Sequence, residues 1–116
     1  MSFIKEMMNI KCECFSPDAK FFLFDKYYIG VDETNGRFGD VSIYCCKKCS
    51  RLWLHYLVEF EAYSKSGRWY RGLIKSKDKK KIKSNNAIKY LEKLKWYLYG
   101  GDYYSISGKA SGKILI

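Results

Sequence analysis

Four of the five cysteines fall in two close pairs, Cys12-x-Cys14 and Cys46-x-x-Cys49. A tetrahedral thiolate site needs four sulfurs, and a tight turn can supply two of them from residues this near in sequence. The intervening stretch is long enough to fold back as a hairpin and bring the pairs together like the halves of a zinc ribbon. Lys47, Lys48 and Arg51 stand beside the second pair and favour its thiolate form. The expected ligands of a structural Zn2+ are therefore Cys12, Cys14, Cys46 and Cys49. Four sulfurs leave no open position for water, so such a site holds a fold instead of performing a reaction. Cys45 is the spare: adjacent residues on a strand face opposite ways, and it reads as a buried small hydrophobe.

Few other residues suggest chemistry. His55 is the only histidine, and with Glu59 and Glu61 it shares one parity of a strand. No nucleophile or second base accompanies it, so the reading is a rim histidine beside solvated carboxylates. The tail from Ser107 to Lys113 resembles a phosphate-binding loop only superficially. Its spacing is G-x3-G-K, and Ile114 stands where a hydroxyl residue is required. Arg68, Trp69, Tyr70 and Arg71 alternate cations with rings, and Lys77, Lys79, Lys80, Lys81 and Lys83 follow closely. Such a mixture suits bases stacked on rings with phosphates on lysines. It equally suits a protein interface anchored by Arg, Trp and Tyr against an acidic surface. For Trp69 and Trp96 taken singly, core packing is the simpler reading.

The chain of 116 residues is long enough for one domain, 1–116, with a modest core. Aromatic residues make up 18% of it, which excludes a disordered chain and favours strands. No secretory leader and no apolar run long enough to span a bilayer is visible, so a cytoplasmic protein is expected. A reducing compartment also ranks metal ligation above disulfides for an odd number of cysteines. The net charge of +10 is local: residues 1–64 carry 8 basic and 9 acidic side chains, whereas residues 65–95 carry 12 and 2. A single basic patch is implied.

The elements that must position these residues follow from periodicity. Residues 1–11 could be a helical turn or a strand. Pro17-Asp18 marks a turn, residues 21–31 read as a strand, and Asn35-Gly36 supplies a tight turn into a returning strand that includes Val41, Ile43 and Cys45. Residues 52–63 alternate as a half-buried strand. A turn at Ser64 to Gly67 pairs Tyr63 with Arg68, which places Trp69 and Arg71 on the face of Val58 and Phe60, with Glu61 diagonal to Arg68. Residues 75–83 form a basic loop anchored by Ile82. Ala87, Leu91, Leu94 and Leu98 make the stripe of an amphipathic helix from Ser84 or Asn85 to Leu98 or Tyr99, stopped by Gly100. The Gly- and Ser-rich tail ends in a short apolar strand, Ile114-Leu115-Ile116. The fold class is α+β: an antiparallel β-sheet, one C-terminal amphipathic helix and a zinc-knuckle-like site of four cysteines.

The segments Cys46-Lys47-Lys48-Cys49 through Glu59, Ser66-Gly67-Arg68-Trp69-Tyr70-Arg71-Gly72, and Trp96-Tyr97-Leu98-Tyr99-Gly100-Gly101 together resemble small bacterial immunity proteins of polymorphic or contact-dependent toxin systems. The resemblance implies a non-enzymatic role, the stoichiometric masking of a toxin. Immunity proteins against nucleases are often acidic, whereas this chain is basic. The implied toxin therefore presents an acidic surface or is not a phosphate-seeking nuclease. The alternative is a zinc-ribbon-like nucleic-acid binder that uses residues 65–95. Neither reading requires a small-molecule substrate or a membrane.

Overall fold

The computed structural model describes residues 12–60 and 63–116. The expectations for residues 1–11 and for Glu61 fall outside them. Six antiparallel strands form one sheet in sequence order: β1 Phe24–Asp32, β2 Gly39–Cys46, β3 Leu52–Val58, β4 Arg68–Ile74, β5 Tyr97–Gly100 and β6 Gly108–Ala110. Helix α1, Ala87–Lys93, lies between β4 and β5.

The meander arises where expected at its first turns. Asn35 and Gly36 both take left-handed φ, 53° and 68°, between β1 and β2. Asp32, at the end of β1, is buried there. Its carboxylate accepts hydrogen bonds from the Thr34 N–H at 3.0 Å, the Thr34 hydroxyl at 2.6 Å and the Tyr56 hydroxyl at 2.6 Å. Burial alone would raise the acid's pKa. The Thr34 and Tyr56 donors and the nearby Arg37 outweigh it and hold the carboxyl below its ordinary range.

The β3–β4 register departs from the sequence expectation. Val58, not Tyr63, pairs with Arg68, and His55 pairs with Arg71. The change of parity moves every side chain of β4 to the opposite face. Trp69, Arg71 and Leu73 therefore join Trp53 and His55, while Tyr70 joins Tyr56 and Val58. The driving force is burial: Trp53, Leu54, Tyr56 and Val58 are all sealed from solvent, so both faces of β3 are covered.

The expected long helix is also shorter. It ends at Lys93, and Leu94 is already extended at ψ 154°. In β5, Tyr97 is 3% and Leu98 1% exposed, in two different cores on the two sides of the sheet. Consecutive residues can be buried in that way only on a strand. The helix is therefore not the C-terminal element. The terminal strand is Gly108–Ala110, paired with β5, and Ile114 is buried beyond it, in place of the expected strand at 114–116. Gly72 permits the close approach of α1: a Cβ there would lie 2.4 Å from Leu94 Cδ1 and 2.7 Å from Leu91 Cδ2.

One face of the sheet buries Val41, Ile43, Leu54, Tyr56, Val58, Tyr70 and Ile74 against Ala87, Ile88, Leu91 and Ile114. The other face carries a smaller cluster of Cys14, Leu23, Phe24, Cys46, Trp53 and Leu98. It is covered by the segment that precedes β1, which contains the first cysteine pair.

Candidate metal centre

The second cysteine pair occupies the tip of the β2–β3 hairpin. Cys46 closes β2, its N–H donating to the Arg51 carbonyl at 3.0 Å, and the Ser50 N–H returns to the Cys46 carbonyl at 2.8 Å. Ser50 takes φ 64°, which lets so short a loop reverse. Cys12 caps and Cys14 occupies a single 3-10 turn, Glu13–Phe15, whose Phe15 N–H donates to the Cys12 carbonyl at 3.1 Å. Lys47 joins the two halves: its N–H donates to the Leu23 carbonyl at 2.9 Å. Across the surface Lys48 Nζ donates to Glu13 Oε1, a second link between them.

This local folding brings the sulfurs of Cys12, Cys14, Cys46 and Cys49 within 4.8 Å of one another. Cys12 Sγ lies 3.7 Å from Cys46 Sγ, and Cys14 Sγ lies 3.5 Å from Cys12 Sγ and 3.6 Å from Cys49 Sγ. Disulfide sulfurs would approach to about 2.05 Å, so these are four free thiols. A tetrahedron with metal–sulfur bonds of about 2.3 Å has sulfur–sulfur edges of about 3.8 Å. The cluster therefore fits a four-coordinate metal ion with little movement. Cys45 faces the other way along β2, as expected, and is absent from the cluster. It is half-exposed rather than buried, near the Ser50 carbonyl at 3.8 Å.

The surroundings act in opposite directions on the thiols of the cluster. Burial pushes up the thiols of Cys12 and Cys14. At Cys49 the same burial is outweighed by the Arg51 N–H and side chain and by the neighbouring sulfurs of Cys12 and Cys14, and its pKa falls to about 7. Cys49 is thus the thiol poised to ionise first.

Arg71 supplies the remaining positive charge from beneath. It is 3% exposed, and its Nη2 donates to the carbonyls of Cys14 at 3.2 Å and Ser16 at 2.7 Å. Its guanidinium lies 5.0 Å from the Phe24 ring, 5.3 Å from Trp53 and 5.0 Å from Trp69. Among the described residues it forms no ion pair with a carboxylate. A buried cation needs a counter-charge, and four thiolates around a divalent ion carry two formal negative charges. Arg71 thus fastens the cysteine-bearing arm to the sheet and faces the charge that a metal-loaded cluster would hold.

The basic and aromatic residues singled out in the sequence separate in space. Arg68, Tyr70 and Arg71 are buried and face inward. Trp69 is half-buried, its ring over Gly100 and stacked on His55. These four do not form an exposed platform, because the β3–β4 register turns Trp69 and Arg71 under the metal-side arm. The Arg68 guanidinium packs 4.0 Å from the Tyr103 ring. Lys77, Lys79, Lys80, Lys81 and Lys83 are exposed, most of them on the 3-10 turn Ser76–Lys81, and Ile82 anchors that loop as expected.

His55 is not a rim residue beside glutamates. The strand ends before Glu59, and the imidazole is stacked 4.2 Å from Tyr44 and 5.9 Å from Trp69. Burial, then the Arg71 and Lys26 charges, depress its pKa to about 3, so the ring is neutral at physiological pH. Sequence reasoning missed the inward role of Arg71 and the buried Asp32–Tyr56 pair. A charged residue in the middle of a strand that is apolar beyond its first residue, Arg68, was the available signal for the first.

Among the described residues no helix is long and apolar enough to cross a membrane. No family model, curated protein or solved structure matches the chain.

Proposed function

We propose that this chain is a non-enzymatic, zinc-clipped binding protein that neutralises a partner protein stoichiometrically, in the manner of an immunity protein acting on a bacterial toxin. The supporting observation is how the molecule sorts its positive charge. All ten lysines of residues 65–95 are exposed, while both arginines of that stretch are buried. Ammonium groups are strongly hydrated point charges, whereas the guanidinium stacks on rings and satisfies several acceptors at once. The outcome is a set of solvent-exposed lysines whose complement is an acidic partner.

A protein partner suits these lysines better than nucleic acid. Of the two rings at 68–71, Tyr70 is buried and Trp69 is half-buried against His55, so this segment offers bases no exposed platform. Zinc is the metal of choice because four soft sulfurs at tetrahedral spacing match it and close its shell. A closed shell and a walled-in neutral His55 favour a scaffold over a catalyst.

The test is to express the chain with a candidate acidic toxin domain, such as one encoded beside it. A complex of equal stoichiometry with the toxin's activity titrated to zero supports the reading. Recovery of nucleic acid alone, released steeply by salt and lost in a Lys79→Ala/Lys80→Ala/Lys81→Ala variant, would replace it with nucleic-acid binding.

A further inference from the structure

We infer that the partner docks in the groove between the metal-knuckle turn and the C-terminal end of α1, and that it does so with an acidic segment carrying an apolar side chain. This rests on the protein-inhibitor reading above and names its surface. The groove encloses about 930 Å³. Cys49, Ser50 and Arg51 form one wall, and residues 93–96 form the other.

Leu52, Ile74 and Leu94, which pack on the helix-side core, give the groove an apolar floor, and Leu73 meets it from the other face of the sheet. Ile74 is buried and the other three are half-buried, so the floor is already partly dehydrated. Around it stand Arg51, Lys75, Lys93 and Lys95, with no carboxylate in the lining. The three lysines are exposed, and among the described residues none forms an ion pair. An apolar centre within a charged rim is the anatomy of a protein interface. The sign of the rim calls for Asp or Glu around the partner's apolar anchor.

Nucleic acid would find phosphate contacts here but nothing to stack on. Trp96 is the lone ring in the lining, and Lys109 Nζ sits 4.5 Å from its centroid while Phe15 and Trp53 flank it at 6.0 and 6.1 Å. The groove is also tied to the metal centre. Its first wall is the loop that contains Cys49, with Ser50 in a left-handed conformation. Losing the metal frees that wall, so docking requires the metal-loaded form.

The probes are a short labelled peptide alternating Glu and Leu, an all-Glu peptide of equal length and a thymidine oligonucleotide of equal charge, titrated onto the metal-loaded protein. Saturation by the Glu/Leu peptide at one per chain is expected, with weaker binding of the other two. Lys93→Glu/Lys95→Glu should weaken it about tenfold or more, whereas Lys79→Glu/Lys80→Glu/Lys81→Glu should change it less than about threefold, a screening effect only. Equal metal content and circular dichroism establish that both variants are folded. Tighter binding of the oligonucleotide, or equal losses in the two variants, overturns the proposal. Undiminished toxin inhibition by Lys93→Glu/Lys95→Glu also overturns it while leaving the inhibitor reading intact. The expected peptide titration without inhibition of any toxin removes the inhibitor reading and keeps the groove.

Discussion

The two faces of the sheet are covered by different physics. On the helix side, Leu54, Tyr56, Val58 and Ile74 meet Ala87, Ile88 and Leu91, and the face closes by burying apolar area. On the metal side, two of the six buried cluster residues are the candidate ligands Cys14 and Cys46, and a guanidinium packs beside them. Among its described residues, 12–23, that arm has no regular strand or helix beyond two 3-10 turns, Glu13–Phe15 and Phe21–Leu23, so the backbone of that stretch contributes little cohesion. A metal held by those four sulfurs would supply there what a hydrophobic stripe supplies opposite. In a chain this short, one face can be built from area alone, and coordination at the four cysteines would complete the second.

Breaking the metal side should have the largest effect. Structural zinc sites contribute on the order of 10 kcal/mol to small domains. Chelation, or Cys46→Ser, should therefore release residues 12–23 and lose about one zinc per chain. Hydrogen exchange checks this: amides of that arm should lose protection first, while those of β2 to β4 persist. Simultaneous loss across the whole sheet would show that the two faces are not separable.

Leu91→Ala attacks the helix side and should cost about 2–5 kcal/mol in denaturant unfolding, through lost transfer energy and the cavity left over Gly72. Metal content should be unchanged. A loss of metal equal to that of Cys46→Ser would contradict the division of labour.

Arg71→Met leaves the Cys14 and Ser16 carbonyls without their donor, at a cost of about 1–3 kcal/mol. Because the residue also faces the cluster, competition with a chelator should reveal metal held about tenfold more weakly. Unaltered metal retention would reduce Arg71 to packing.

The smallest effect is the pH dependence from His55. Its folded pKa of about 3 lies below the unfolded value of about 6.5, so between them the unfolded chain binds more protons. Stability is complete above pH ~6.5 and falls as pH drops toward ~3, by at most about 1.4 kcal/mol per unit. Subtracting the profile of His55→Gln from that of the parent isolates this slope from acid release of the metal. Parallel profiles would show that the imidazole is freely solvated.

Local signals were legible. Cysteine spacing placed four sulfurs on one site, Asn35-Gly36 made its turn, and the alternation of β3 announced a sheet. Where a residue's fate depends on partners distant in sequence, the reading failed. Arg68 and Arg71 looked like members of the same basic patch as Lys75 to Lys95, because charge counts do not distinguish a cation held by rings and carbonyls from one in water. Trp96 to Tyr99 continued a helical stripe on paper, since Leu94 and Leu98 are correctly spaced for it.

The sequence by itself therefore determined the four cysteines that gather, the positions of the tight turns and the antiparallel character of the sheet, all of which follow from spacing and backbone preference over a few residues. Only the tertiary structure decided the β3–β4 register, the conversion of 97–100 from helix to strand and which cations reach solvent. Those outcomes turn on burying both faces of one sheet at once, and no local window contains that constraint.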